Sequence, residues 1–158
     1  MRSKLCIIAV IFFAAVILAF TQISHGMIRT LPVPELISTS EHIVIAEVYQ
    51  ITKTGYIPKS KLSLLKNELK VTESLKGTLL RDESIAINTM KAEHWIEDNV
   101  ELPLPGSKVF LFLTKNEKGE FWPVNGIQGV WPMQGNKLLG MGTRYKLDDI
   151  RTMIKQTK

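Results

Sequence analysis

The sequence predicts a mostly-β fold: a small barrel or curled antiparallel sheet of five to seven strands, with a short helix before it and a helix after it. Three observations carry this prediction. The stretches His42–Ile51 (HIVIAEVYQI) and Lys108–Thr114 (KVFLFLT) are dense in β-branched and aromatic residues. Turn residues punctuate the chain between such runs, as at Leu75-Lys76-Gly77, Asn116–Gly119 and Asn125-Gly126. A helical period is clear only near the end, where Leu147, Ile150 and Met153 or Ile154 share one face.

Taken in order, the chain opens on an export signal. Arg2 and Lys4 precede an unbroken apolar run of 16 residues, Leu5–Phe20. That length lies near the upper end of a signal-peptide core and just short of the roughly 20 residues of a spanning helix. Two outcomes therefore stand. Ser24 and Gly26 supply small residues at the spacing a signal peptidase prefers, so cleavage after Gly26 is the favoured expectation; the other is retention of residues 5–20 as an anchor in the cytoplasmic membrane. Cys6 follows Ser-Lys-Leu rather than a small-residue lipobox, which argues against a lipoprotein. The folded unit is then a single extracytoplasmic domain, residues 27–158, with 18 basic and 15 acidic side chains and a net charge near +3. It has no cysteine, so packing alone must hold it together. A chain of roughly 130 residues can do this, burying about two-thirds of its unfolded surface.

Leu31-Pro-Val-Pro-Glu-Leu-Ile-Ser reads as an extended lead-in and at most two helical turns, with Pro34 suited to the first helical position. In the strand that follows, Val44, Ala46 and Val48 alternate with Ile43, Ile45, Tyr49 and Ile51, a pattern apolar on both faces. Thr52 to about Lys66 reads as a polar loop. Asn67–Leu75 alternates as a half-exposed strand, with Leu69, Val71 and Glu73 facing opposite ways to Glu68, Lys70 and Thr72, and Gly77 closes it with freedom for positive φ. A short strand Ser84–Thr89 leads into a charged, irregular stretch, Lys91–Glu101, which Pro103, Pro105 and Gly106 follow. After the apolar strand Lys108–Thr114 comes a phrase said twice, Phe121-Trp-Pro-Val-Asn-Gly and Val130-Trp-Pro-Met-Gln-Gly. Each proline pushes its tryptophan toward extended geometry and must itself sit at an edge, bulge or strand end. With Asn125-Gly126 and Gln134-Gly135-Asn136 as turns, the phrase reads as strand, turn, strand, turn, strand. The final helix carries Asp148 and Asp149 in its first turn and Lys155 and Lys158 at its end, as the helix dipole favours.

With the lead helix before EHIVIAEVYQI, the strand LKVTESLKG ending in Leu-Lys-Gly, the Pro-Gly start of PGSKVFLFLT, and Gln128-Gly129 opening another strand, the chain resembles a group of small exported bacterial and archaeal proteins. Those proteins are built on an OB-like barrel and have no assigned activity. The resemblance spans roughly residues 35–154 and implies a fold and an address rather than a reaction. Netrin-like and metalloproteinase-inhibitor domains share the broad plan, but they depend on N-terminal cysteines and disulfides that this chain lacks.

Few residues point to chemistry. His42 and His94 each have an acidic neighbour, Glu41 and Glu93, yet neighbours in an extended segment point to opposite faces. The loop of Glu93, His94, Trp95, Glu97 and Asp98 is the alternative site, a mix able to form a weak metal or acid-base site, although its spacing matches no recognised metal-ligand pattern. Ser63-Leu-Leu-Lys66 has the spacing of Ser/Lys hydrolases without their accompanying motifs. No phosphate loop, dinucleotide fingerprint, nucleophile elbow or zinc helix is present. No cofactor and no metal are expected. Six lysines from Lys53 to Lys76 (Lys53, Lys59, Lys61, Lys66, Lys70 and Lys76) read first as a solvated face and second as a patch for anionic polymers or headgroups.

The candidate ligand-binding residues are Trp122 and Trp131, with Asn125, Gln128 and Gln134 as flanking hydrogen-bonding groups. Packing at a barrel end is the competing role of both indoles. The sequence therefore leads to an exported, non-catalytic accessory or binding domain of the cell envelope, a monomer that engages a protein or glycan and meets the membrane only through its N-terminal segment. Export weighs against nucleic acid as a ligand. The alternative is a small extracytoplasmic hydrolase using the Glu93–Asp98 loop or Ser63 with Lys66.

Overall fold

A computed structural model describes residues 29–92 and 100–157. Helix α1 (Val33–Thr39) precedes seven strands: β1 (His42–Ile57), β2 (Leu62–Lys76), β3 (Ser84–Ala92), β4 (Lys108–Lys115), β5 (Phe121–Pro123), β6 (Val130–Gln134) and β7 (Lys137–Leu138). Helix α2 (Leu147–Gln156) ends the domain. Strands neighbour one another in the order β1-β2-β3-β5-β4, and β4 pairs back onto β1, which closes a five-stranded barrel. All these pairings are antiparallel except β3 with β5, which meet in parallel at Ile87 and Phe121. This is the OB-like barrel expected, with β6 and β7 as two added strands and both helices in place.

The two-faced character of β1 and β4 has a direct cause. Val44, Ala46 and Val48 point into the barrel with Val109, Leu111 and Leu113, while Ile43, Ile45, Phe110 and Phe112 point outward beneath α1 and α2. Two apolar clusters thus share the β1 and β4 backbones, and the outer one recruits Leu36, Ile37, Trp131, Ile150 and Ile154. Burying apolar side chains on both sides of the same strands stabilises the sheet without a disulfide, at about 25 cal/mol per Å² removed from water.

Strand parity is broken where the sheet coils. The β1–β2 register shifts between Val48 and Gln50, leaving Tyr49 as a bulge residue. Beyond it Ile51 packs against the barrel interior, whereas simple alternation places it opposite Val48. A second shift sets Ala46 opposite Val71 but Ile45 opposite Glu73, so Glu73 faces outward rather than sharing the inward face of Leu69 and Val71. The Thr72 hydroxyl donates to the Ile45 carbonyl at 3.1 Å across this bulge.

Two expectations are corrected. Thr52–Lys66 is not a loop: β1 runs on to Ile57 and β2 begins at Leu62, with only Pro58–Lys61 as the turn. Strand β3 extends to Ala92 against Leu62, making a three-stranded arm that projects from the barrel. Its polar composition reflects the exposure of an arm outside both apolar clusters, which residue polarity alone cannot distinguish from a loop. Nor is the doubled Trp-Pro phrase a meander of mutually paired strands. Phe121–Pro123 and Val130–Met133 both pair antiparallel with the same edge of β4, one after the other. Asn125 and Gly126 do take positive φ, 53° and 59°, but they open a 3₁₀ turn, Gly126–Gly129, that bulges out and returns to the same edge. A hairpin is impossible there, because two strands antiparallel to β4 on one edge run in the same direction.

Candidate functional site

The doubled phrase does not present two aromatic fingers. Trp131 is 1 % exposed. Its indole stacks on Phe110 at 5.6 Å and on Tyr145 at 5.9 Å, and meets Phe112 edge-on at 4.8 Å. Gly142 lies flat against its face, where a Cβ would come within 2.7 Å of the ring. This tryptophan is the centre of the outer core, and no face of it is open to a ligand. Trp122, opposite Thr114 on β5, is half-buried. Neither indole N–H has a hydrogen-bond partner among the described residues.

The flanking amides clamp the chain rather than point outward. The Gln128 carboxamide is buried; it accepts from the Leu31 backbone N–H at 2.9 Å and donates to the Leu31 carbonyl, as a neighbouring strand would. Asn125 donates to the Arg29 carbonyl at 2.9 Å and to the Gln128 side-chain oxygen at 2.6 Å. Gly129 lets this bulge fold back, since a Cβ there would meet the Val124 carbonyl oxygen at 2.5 Å. Asn125, Gln128 and Trp131 are thus structural, holding the lead-in that enters α1. Gln134 alone of the five candidates is exposed, at the β6–β7 turn.

The hydrolase candidates fare differently. Ser63 and Lys66 lie three residues apart on β2, so their side chains emerge on opposite faces, and Lys66 is ion-paired with Glu68 at 2.9 Å. The Ser-x-x-Lys spacing brings two groups together on a helix and separates them on a strand. Glu93, His94, Trp95, Glu97 and Asp98 lie outside the described residues. Among the described residues no group of three His, Cys, Asp or Glu side chains could hold a metal ion.

His42 has a structural setting. It is buried at the start of β1, edge-on to Phe121 at 5.4 Å, and its Nδ1 accepts the Thr78 N–H at 3.4 Å. Gly77, at φ +92°, makes room for it: a Cβ there would fall 2.3 Å from Nδ1. Burial pushes the imidazole below its ordinary pKa, and the nearby Lys115 charge adds to this, against the opposing pull of Glu41 and Glu83. Glu41 is itself lowered, chiefly by the Thr114 hydroxyl that donates to it at 2.7 Å.

What residue patterning misses is Tyr49. The bulge turns its ring to solvent, 74 % exposed, beside a groove of about 400 Å³ on the outer face of β1–β3. Glu68, Lys70, Ser84 and Ala86 line that groove. Alternation assigns Tyr49 to a buried face with Ile43 and Ile45, and nothing local in the sequence marks the bulge. The chain matches no protein-family model and no curated protein.

Proposed function

We propose that the protein is an exported, non-catalytic binding module of the cell envelope that takes a glycan on the outer face of β1–β3. Tyr49 carries this reading. An exposed phenol beside a groove offers an apolar ring for stacking on a sugar and a hydroxyl for hydrogen bonding. Glu68, Lys70 and Ser84 add polar partners around it. In five-stranded OB barrels the face of the second and third strands is where oligosaccharides and oligonucleotides bind, and this groove lies on that face. The apolar run Leu5–Phe20 directs the choice toward an extracytoplasmic glycan over nucleic acid. The non-catalytic part is supported by the separation of Ser63 from Lys66 and by the structural setting of His42.

The test is retention on insoluble peptidoglycan and on neutral polysaccharide matrices. Tyr49→Ala is expected to weaken retention by up to roughly tenfold, the worth of one aromatic stacking contact, with unchanged thermal unfolding. Wild-type retention by Tyr49→Ala, or retention only on an envelope protein, defeats the glycan assignment.

A further inference from the structure

Two depressions beside the β6–β7 turn carry a charge pattern that the glycan face does not use. The first, about 340 Å³, is bordered by Glu73, Arg81 and Lys108, and the second, about 350 Å³, by Lys137, Lys146 and Asp148. Asn136 and Arg151 line both, so the two form one groove. Arg151 is its fixed centre. Its guanidinium donates to the two Glu73 carboxylate oxygens at 3.1 and 2.6 Å and to Asp148 at 2.9 Å, tying α2 to β2.

The lysines around it are uncommitted. Among the described residues Lys108, Lys137 and Lys146 make no ion pair, and Arg81, its side chain 81 % exposed, reaches only Asp82 at 3.9 Å. Five basic groups against Glu73, Asp148 and the Asp82 beside Arg81 leave the groove two charges positive. These charges do not converge on one point. Arg81 and Lys108 border one depression, Lys137 and Lys146 the other, and a β-bridge between Lys137 and Lys146 fixes the second wall. A compact anion needs convergent donors, whereas an extended one is met by cations spaced along its path. Lysine, a point charge without the planar fork of arginine, suits such diffuse attraction.

We infer that this groove binds a linear polyanion, a flexible chain with phosphate or carboxylate groups on successive units, lying across Arg151 from one depression to the other. The inference rests on the groove's own charges and is independent of Tyr49. The full-length protein, in micelles of an uncharged detergent, is titrated with inorganic polyphosphate, polygalacturonate, uncharged dextran and inorganic phosphate. Polyanion binding is expected, weakening roughly tenfold or more from about 50 to about 200 mM salt, with neither dextran nor free phosphate binding.

Arg81→Glu with Lys108→Glu, and Lys137→Glu with Lys146→Glu, are each expected to weaken binding roughly tenfold or more. The same charge change at Lys59 and Lys61, on the hairpin turn, leaves it within about twofold, as does Tyr49→Ala. All six charged positions are exposed. Circular dichroism checks the fold, and the corresponding Gln pairs remove the charge without reversing it. Binding of one polymer alone supports the groove and identifies its anionic group. Equal weakening by all three charge pairs would mean net charge alone and overturns the inference. Binding of neither polymer, or of free phosphate in preference to both, overturns it as well.

Discussion

At the scale of single residues, His42 shows how burial writes a pH dependence into the fold. Its neutral Nδ1 accepts the Thr78 N–H, and protonation ends that acceptance. Because burial holds the folded imidazole below its ordinary value of 6.5, the unfolded chain takes the proton more readily. The stability His42 contributes is therefore complete above about pH 6.5 and is lost as pH falls from there toward the folded value. Glu41, lowered from 4.5, withdraws its own contribution only further down the scale. Thermal unfolding followed from pH 7.5 to 5 is expected to show a falling midpoint, and His42→Gln to flatten that fall. An equally steep decline in His42→Gln would assign the effect to other groups. Gly77 belongs to the same arrangement, since only a residue without Cβ admits the imidazole at that distance.

At the scale of elements, the arm and the β5–β6 edge divide the labour between projection and support. No residue from Thr54 to Leu64 belongs to either apolar cluster, so among the described residues cross-strand pairing is the main support of the distal arm. Replacing Thr54–Leu64 by an Asn-Gly turn joins Lys53 to Leu65, which are already partners. The shortened protein is expected to unfold cooperatively within about 1 kcal/mol of the parent, because little apolar burial is lost. Loss of cooperativity in chemical denaturation would show that the arm belongs to the core. The β5–β6 edge behaves in the opposite way. Its bulge carries Asn125 and Gln128 into contact with the lead-in, so Pro32 and α1 are positioned from a point nearly a hundred residues later in the chain.

At the scale of the whole molecule, one sheet serves two cores. The barrel interior and the layer beneath α1 and α2 share the backbones of β1 and β4, which is how a domain without cysteine reaches sufficient burial. The two proposed binding surfaces lie apart on it, the Tyr49 groove on the β1–β3 face and the cationic groove beside α2. The glycan reading assumes an extracytoplasmic address. Intact-mass measurement of the exported protein is expected to show loss of residues 1–26; a full-length mass in the membrane fraction would identify residues 5–20 as an anchor instead.

Much of this was present in the sequence. The apolar runs, the turn at Gly77, the lead helix and the final amphipathic helix are dictated by short-range rules: side-chain alternation, φ preference, and the period of Leu147, Ile150 and Ile154. Two-sided burial of β1 was equally legible, because each face of the strand spelled out its own apolar set. The bulge at Tyr49, the shared β4 edge, the burial of Trp131 and the path of Gln128 back to Leu31 were decided only by tertiary structure. Each depends on which strand lies alongside, and a one-residue shift in pairing sends a side chain to the other face without changing a letter of the local sequence. For that reason Trp131, Asn125 and Gln128 are drawn into packing and backbone pairing, while Tyr49 and the lysines beside α2 are left to solvent.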